Sequence, residues 1–353
     1  MRNVRLRIEV SIEHCDLRAA QTRRPLAKKT GSGQHAASNL PEEPMAAQRK
    51  LQFYQADVFT DEPFGGNPVA VFPDAEGLSD MELQQIAREM NLSETVFVFP
   101  PTDKAAVVKM RIFTPTQEIP FAGHPVIGTF FVLGTLKRLA LKEPVTRVLQ
   151  ECNLGLFPVD IHARDGVVER VVMSQPDPQF LDVIDEPEAL FAIARALGIT
   201  KALITETRFP VQVVSTGLPV IIVPVRTLTA VRSIVPDVAA IADLSQQYGS
   251  NGLMVFSTMT VEQSSTVHTR MFAPLIGIVE DPATGSASGA LGAYLVQHGV
   301  VDISPITEIT AEQGYEIDRP SRILIQVDSD DEVIQSVMVG GQAMMVVEGT
   351  LTF

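Results

Sequence analysis

The sequence predicts an α+β protein of two similar, duplicated domains, each a curved β-sheet or barrel wrapped around one central helix. Three observations lead to this fold class. One order of strand and helix patterns occurs twice, similar turn sequences stand at matching places, and two helical segments are apolar almost all round. A helix without a polar face must be buried, so we expect strands to surround each of the two. A length of 353 residues also favours two domains of ordinary size.

The first copy begins after Leu51 with the apolar stretches YQADVF and VAVF, which flank the turn sequence PFGGNP. This pattern predicts a hairpin-like pair of strands. Ser79 and Glu82 then have the spacing of a capping box ahead of MELQQIAREM, which predicts a helix that ends near Asn91. The stretches TVFVF and VVKMRIF predict two further strands on either side of a proline turn.

The second copy follows the same order. VVSTGLPVIIVPV resembles DVFTDEPFGGNPVAVF, and PDVAAIADLSQQYG stands where the first helix stood. RIFTP precedes FAGHPVIGTFFVLG in the first copy, and RMFAP precedes DPATGSASGALGAYL in the second. The apolar segments VIGTFFVLGTL and ASGALGAYLVQ are therefore the two predicted central helices. DEPEALFAIARALG is a further outer helix near the crossover between the copies.

These patterns set the predicted domain boundaries. Residues 1–50 are expected to be a disordered leader, because KKTGSGQHAASNLPEEP is rich in small, polar and proline residues. Met45 is a second candidate start. Residues 51–165 form the predicted N-terminal domain and residues 166–353 the C-terminal domain. The extreme C-terminal strand is a candidate to return to the N-terminal domain.

Composition limits the classes of partner. The net charge is −14, although residues 1–50 alone hold ten Lys or Arg and five Asp or Glu. An acidic chain of this kind argues against a nucleic-acid or anionic-membrane partner. No apolar run is long enough for a membrane helix. Only Cys15 and Cys152 occur, without disulfide density or zinc spacing, which favours a reducing cytoplasm.

The two central helices begin with the turn sequences AGHP and ATGS. Such starts leave backbone N–H groups unpaired, and these groups favour anions. Pro125 suits the first turn of one helix, and Ser286 or Thr284 is a candidate cap of the other. If the two copies face each other, both helix starts converge on one cleft that attracts a carboxylate.

Four side chains are candidates for chemistry in that cleft: Glu94 of NLSET, His124 of AGHP, and Asp281 and Ser286 of EDPATGS. A proton shift beside a carboxyl group needs one group that takes the proton and returns it elsewhere, and donors that stabilise the developing charge. Each residue also has an ordinary structural interpretation. Glu94 would be solvated or capping, His124 would satisfy a carbonyl group, and Asp281 and Ser286 would cap a helix.

Other signatures are absent from the sequence. It holds no GxGxxG after a strand, no P-loop, no HExxH and no GxSxG with triad partners. The remaining histidines are scattered without ligand spacing. We therefore expect neither a metal nor an organic cofactor.

Four ordered motifs carry a resemblance to a known family. FTDEPFGGNPVAV (59–71), NLSET (91–95), TPTQEIPFAGHPVIG (114–128) and EDPATGSA (280–287) resemble the marks of the PhzF-like, phenazine biosynthesis family. The similarity covers roughly residues 53–353. It implies a diaminopimelate epimerase-like fold, an active site between the two domains, and assembly as a homodimer.

The resemblance also implies roles for individual residues. Glu94 would be the general acid and base of a cofactor-independent isomerase, and His124, Asp281 and Ser286 would assist in binding and proton handling. The N–H groups of Gly123 and Gly285 would hold a substrate carboxylate. In the phenazine enzyme the reaction is a proton shift within the ring of a dihydro-hydroxyanthranilate, and the reaction class carries over better than the metabolite.

Some alternatives stay open at this point. Racemases of this fold use two cysteines, but Ala122 and Pro282 stand at the corresponding turns, which excludes a two-thiol mechanism. A lyase or a one-base epimerase would use the same cleft, and a metabolite-binding protein would keep the fold without catalysis. Phe64 and Phe121 are expected in the core rather than in the cleft.

Overall fold

A computed structural model describes residues 48–330 and 333–353 of the chain. The predicted leader lies outside the described residues apart from its last three positions. Within the described part, the strands are β1 (Lys50–Val58), β2 (Asn67–Phe72), β3 (Glu94–Phe99), β4 (Val108–Phe113), β5 (Glu118–Ile119), β6 (Val145–Cys152), β7 (Gly155–Arg164), β8 (Val167–Ser174), β9 (Gln179–Ile184), β10 (Val211–Ser215), β11 (Pro219–Pro224), β12 (Leu253–Ser257), β13 (Val267–Ala273), β14 (Ile278–Asp281), β15 (Ile306–Gln313), β16 (Ser321–Asp330), β17 (Val333–Gly341) and β18 (Ala343–Thr352). The helices are α1 (Asp80–Met90), α2 (Gly123–Thr135), α3 (Pro187–Ala196), α4 (Ala202–Thr205), α5 (Leu228–Arg232), α6 (Val238–Gln247) and α7 (Gly285–Gln297).

Strand pairing follows one scheme twice. In the first half β1 pairs with β2 antiparallel, β2 with β3 parallel, β3 with β4 antiparallel and β4 with β6 parallel, and β7 and β8 follow antiparallel. The second half repeats this scheme with β10, β11, β12, β13, β15, β16 and β17. This pairing and the two central helices confirm the predicted duplicated α+β fold.

The two halves exchange strands at their edges. β8 pairs with β17, which joins the two sheets. β9 pairs with β10 in the second half, and the last strand, β18, pairs with β1 along its length. The boundary at residues 165 and 166 stays a prediction, because it falls in the turn between β7 and β8 and both of these strands belong to one pairing scheme.

The central helices α2 and α7 have the same length and are buried along almost all of it. Glycine lets the neighbouring strands approach them. A Cβ atom on Gly128 would lie 2.5 Å from Val69 Cγ1, and one on Gly292 would lie 2.5 Å from Ile325 Cγ2. Each fully buried large side chain of α2, such as Phe130, contributes about 1.5–3 kcal/mol through burial. The two helices share one apolar core that spans both halves.

The outer helices lead the chain into the site. The predicted capping box is present, since the Ser79 side chain accepts from the Glu82 N–H and the Glu82 carboxylate accepts from Ser79. The helix ends at Asn91, which has a left-handed backbone conformation. Because this turn brings the chain directly into β3, Glu94 becomes the first residue of a buried strand.

The described helices include none that is long and apolar enough to cross a membrane.

One core prediction is right in part and the other is wrong. Phe121 is buried in the shared core but also lines the cavity described below, whereas Phe64 is 75% exposed. Phe64 lies in a loop between β1 and β2 with a positive φ of 71°, and its N–H donates to Asp57 Oδ2 at 2.9 Å. The loop turns outward here, so the apolar ring points away from the core, and local sequence did not indicate this direction.

Candidate active site

Both central helices start at the same place in the molecule. A Cβ atom on Gly123 would lie 3.4 Å from the Ser286 nitrogen, and one on Gly285 would lie 3.7 Å from the His124 nitrogen. Neither helix has a side-chain hydrogen bond at its N-cap, which is Ala122 in α2 and Thr284 in α7. The first N–H groups of the two helices are therefore adjacent and without a side-chain cap, which makes this point a candidate binding site for an anion.

Glu94 is buried beside these helix starts. Its side chain lies at the start of β3, and the residue is only 7% exposed. Glu94 Oε2 is 3.3 Å from His124 Nε2, yet within the described part of the chain neither atom makes a hydrogen bond. The two groups are close enough to form a hydrogen bond after a small adjustment, and both atoms are free to face a ligand.

Burial sets the charge of this pair. It raises the pKa of Glu94 to about 8, the neighbouring Asp281 carboxylate raises it as well, and a hydrogen bond with Ser93 opposes them. Burial also lowers the pKa of His124 to about 3, with a hydrogen bond to the backbone of Pro68 acting in the opposite direction. At neutral pH Glu94 therefore carries a proton and His124 is uncharged.

Asp281 approaches from the second half at the end of β14. Its Oδ1 accepts from Asn67 Nδ2 at 2.9 Å, and its Oδ2 accepts from the Thr284 hydroxyl. Gln313 Nε2 donates to the Asp281 backbone carbonyl at 2.7 Å. Burial raises the Asp281 pKa to about 6, while the hydrogen bonds from Thr284 and Asn67 lower it. Asp281 is thus mainly ionised at neutral pH, so the two buried carboxyl groups have different protonation states.

These groups face one enclosed cavity of about 80 Å³. All six residues proposed from sequence line it: Glu94, His124, Asp281, Ser286, Gly123 and Gly285. Apolar side chains from both halves form its walls: Ile119, Phe121, Leu218, Val220, Met271, Ile276 and Ile278. The polar groups are concentrated at the helix starts and the walls are apolar, which is the usual arrangement of a small-molecule site.

A larger cavity of about 510 Å³ lies between the loop at residues 59–65 and the turn around residues 315–322. It is more open, and Asp61, Glu62 and Glu262 on its lining are exposed acids. It contains neither the free helix starts nor a buried carboxyl group with a raised pKa. We therefore place the candidate active site in the smaller cavity, because perturbed titratable groups and anion-binding donors coincide there.

The structure decides between the interpretations that the sequence left open. Glu94 is buried and not solvated. Asp281 accepts from two side chains rather than from the N–H groups of α7, and Ser286 lies inside the helix. The predicted side-chain cap of α7 is wrong, because the Thr284 hydroxyl donates to Asp281 instead.

Sequence reasoning missed three polar residues of the site. Asn67 and Ser93 belong to motifs already noticed, GNP and NLSET, but were not singled out. The sequence signal that points to Asn67 is its position directly after the glycine turn of PFGGNP. Gln313 ends β15, far along the chain, and no local pattern marks it.

The one cysteine among the described residues lies away from the cavity. Cys152 is buried at the end of β6 and does not line the cavity. Cys15 lies outside the described residues. Between residues 48 and 353, leaving out 331 and 332, no group of three or more His, Cys, Asp or Glu side chains is arranged to hold a metal ion.

Comparison with known proteins gives related sequences over the same region. The family model described as PhzC-PhzF, phenazine biosynthesis-like protein, matches residues 56–349. An uncharacterised isomerase of Clostridium acetobutylicum is 36% identical over 86% of this chain and 98% of its own length. The trans-2,3-dihydro-3-hydroxyanthranilate isomerase of Pseudomonas aeruginosa is 35% identical over 83% of this chain and 96% of its own. A crystal structure of the Bacillus anthracis phenazine biosynthesis protein of the PhzF family is 28% identical, with a TM-score of 0.77 over 86% of this chain and 99% of that one.

Proposed function

Because the chain belongs to the PhzC-PhzF family and is an isomerase, we propose that it shifts a proton on a small carboxylate substrate, with Glu94 as its only general acid and base. The family resemblance of the four sequence motifs is confirmed by these comparisons. The single observation that supports the proposed chemistry is the buried, protonated Glu94 beside two uncapped helix starts.

The helix starts account for substrate binding in this proposal. The free N–H groups of the first turns of α2 and α7, from Gly123 and Gly285 onward, hold the substrate carboxylate. Fixing this group at the helix starts places the adjoining carbon skeleton against Glu94 and the apolar walls. The N–H groups also balance the negative charge that the bound carboxylate already carries.

The protonation state of Glu94 sets the order of the steps. Its O–H gives a proton to one carbon of a C=C bond conjugated with the carboxylate, and the resulting Glu94 carboxylate takes a proton from the allylic carbon. One C–H bond forms, another breaks, and the double bond moves between them. The shift is balanced without an oxidant or reductant, and Glu94 returns to its starting form.

The other three side chains have supporting roles. Neutral His124 lies 3.3 Å from Glu94, and its Nε2 is a hydrogen-bond acceptor that orients the Glu94 O–H. Ionised Asp281 keeps the pKa of Glu94 high, so that Glu94 is protonated when substrate binds. The partly buried Ser286 offers a hydroxyl at the helix start on the other side of the cavity.

The experiment is proton NMR in deuterated water with trans-2,3-dihydro-3-hydroxyanthranilate and a panel of small cyclic and linear carboxylates. We expect deuterium to enter the product together with a shift of its double bond, and Glu94→Gln to reduce turnover at least about 100-fold. Glu151→Gln is the matched control, since it removes a buried carboxylate that does not line the cavity. Full turnover by Glu94→Gln would overturn the proposal.

The same spectra separate the alternatives. Deuterium incorporation without a moved double bond would identify a one-base epimerase, and loss of a substituent would identify a lyase. Binding without exchange across the whole panel would identify a metabolite-binding protein. The proton shift is favoured because the chain's relatives include the trans-2,3-dihydro-3-hydroxyanthranilate isomerases of Pseudomonas aeruginosa and Pseudomonas chlororaphis.

Assembly and location belong to the same proposal. We propose a homodimer in the cytoplasm, on the basis of the family resemblance and the cysteine usage. Light scattering on the purified chain tests the dimer, and a mass of one chain at micromolar concentration would contradict it.

A further inference from the structure

The Asn67 side chain joins the two halves by hydrogen bonds beside this site. It is completely buried at the start of β2. Its Nδ2 donates to Asp281 Oδ1 at 2.9 Å and to the Ala283 carbonyl at 2.8 Å, both in the second half. Its Oδ1 accepts from the Ser93 hydroxyl at 3.2 Å.

We propose that Asn67 is a positioning residue, which holds Asp281 ionised and in place and joins the start of α7 to the strand that carries Glu94. This inference rests on the proposed function of that site. Both amide N–H groups and the amide oxygen are already bonded within the protein, so the side chain has no donor left for a substrate. Its effect on the reaction must therefore pass through Asp281, Ala283 and Ser93.

The contacts lie on both sides of the reacting group. Ser93 directly precedes Glu94, and Ala283 directly precedes Thr284, the N-cap of α7. One amide group therefore fixes the distance between the acid and the second helix start. Fixing such distances is what preserves the geometry of a catalytic site.

The backbone of Asn67 is itself held in place. The preceding Gly66 has a φ of +61°, and a Cβ atom there would lie 2.2 Å from the Val58 carbonyl oxygen. Arg319 of the second half donates to the Gly66 carbonyl at 2.9 Å and to Asp57 Oδ1 at 2.8 Å. Arg319 of the second half thus fixes this turn independently of the hydrogen bonds that the Asn67 side chain makes to the second half.

Electrostatics supports the same role. A buried carboxylate is stabilised by donors directed at it, and Asn67 and Thr284 are the donors that lower the pKa of Asp281. The titratable side chains that line the cavity are Glu94, His124 and Asp281. Loss of the Asn67 donor therefore favours protonation of Asp281, which in turn weakens its effect on Glu94.

The test compares Asn67→Leu with Asn153→Leu. Leucine has a similar size and stands at the matching position of the second half, as Leu218, whereas Asn153 is an exposed asparagine away from the cavity. One readout is the titration of Asp281 by carbon NMR on protein labelled at aspartate, assigned with Asp281→Asn. The other is turnover of trans-2,3-dihydro-3-hydroxyanthranilate, or of the panel compound with the highest rate.

We expect Asn67→Leu to raise the titration midpoint of Asp281 and to reduce kcat about 10-fold to 100-fold with KM changed less than about threefold. Asn153→Leu is expected to leave both readouts unchanged. If Asn67→Leu does not fold, Asn67→Asp keeps the shape and is expected to raise the Asp281 midpoint further, because two acids then share the site.

The two proposals fail in different ways. A folded Asn67 variant with unchanged Asp281 titration and unchanged kcat overturns the positioning role even if Glu94→Gln is inactive. Turnover that survives in Glu94→Gln, or no turnover by the wild type, overturns the proposed function, and the Asp281 titration then still decides whether Asn67 holds Asp281 ionised.

Discussion

The two halves of the chain have the same strand order but different side chains at the cavity. Glu94 lies opposite Val69, the residue after the proline of GNP. The matching residue after the proline of GLP is Val220, and the register of β11 with β12 places Gly252 opposite it. A Cβ atom on Gly252 would lie 2.1 Å from the Phe272 carbonyl oxygen, so the second half has no room for an acid at this position.

The helix starts differ in the same way. Aligning EIPFAGH with EDPATGS pairs Ile119 with Asp281, Ala122 with Thr284, Gly123 with Gly285, and His124 with Ser286. Of these four pairs, only the glycines are identical. The anion-binding turns therefore come from both halves, whereas the protonated acid comes from the first half and the ionised one from the second.

Ion pairs away from the cavity are duplicated. Arg111 makes two hydrogen bonds to Glu118, and Arg270 at the matching position makes two to Glu280. Both pairs join a long strand to the short strand that leads into a central helix. The scaffold is thus symmetric where it positions the helices and asymmetric at the candidate site, which favours the proposed single base acting twice over two opposed bases.

The largest expected effect comes from removing the charge that only the second half supplies. Asp281→Asn keeps the shape but leaves Glu94 without a neighbouring anion, so the pKa of Glu94 falls. We expect kcat/KM to fall about 100-fold to 1000-fold. Asp160→Asn, which alters an acid on β7 that does not line the cavity, is the control.

The pH profile gives this variant a specific signature. In the wild type, kcat/KM is expected to fall above about pH 8 as Glu94 loses its proton. In Asp281→Asn the upper limb should move to lower pH. A variant whose upper limb stays near the wild-type position would show that Asp281 does not act on Glu94.

A smaller effect is expected from filling the space that the two glycines share. A methyl group on Gly285 would lie 3.7 Å from the His124 nitrogen and 3.2 Å from Phe59 Cζ, and one on Gly123 would lie 3.4 Å from the Ser286 nitrogen, so each would cover an N–H group of the opposite helix start. We expect Gly285→Ala and Gly123→Ala each to raise KM about 10-fold to 100-fold, with smaller changes in kcat. Unchanged KM in both variants would contradict the carboxylate site, provided that melting curves confirm folding.

The sequence was sufficient for the fold because the duplicated patterns and the two apolar helices are repeated signals. The capping box at Ser79 and the helix end at Asn91 were also predictable, since both are set by local backbone chemistry. The exposure of Phe64 was not predictable, because it depends on Asp57 and Arg319, which hold the loop from outside it.

The candidate site shows the same limit. Its six residues were proposed from turn chemistry and from the resemblance, and the structure brings all of them to one cavity. Asn67 and Gln313 were missed because their partners lie far away in the sequence. The raised pKa of Glu94 also required the structure, since burial is its largest cause.

The smallest expected effect concerns stability and uses a pair of matching positions outside the cavity. In the second half His268 is completely buried, with Nδ1 2.7 Å from Glu312 and Nε2 2.9 Å from Glu316. In the first half the matching residue is Lys109, which is partly exposed and lies 3.1 Å from Glu151. Removing one partner of a buried ion pair lowers the free energy of unfolding far more than removing one partner of a surface pair.

Burial lowers the pKa of His268, but its hydrogen bonds to Glu312 and Glu316 outweigh this effect, so the pKa is raised. A group with a raised folded-state pKa stabilises the protein below its unfolded pKa, and this contribution is lost as the pH rises through the folded-state value. We expect His268→Gln to lower the free energy of unfolding by about 3 kcal/mol at about pH 6 and by less at about pH 9. Lys109→Gln should cost less than about 1 kcal/mol at both. Urea unfolding at the two pH values measures these changes in the free energy of unfolding. If His268→Gln lowers it equally at both pH values, His268 is uncharged in the folded protein and does not form charged pairs with Glu312 and Glu316.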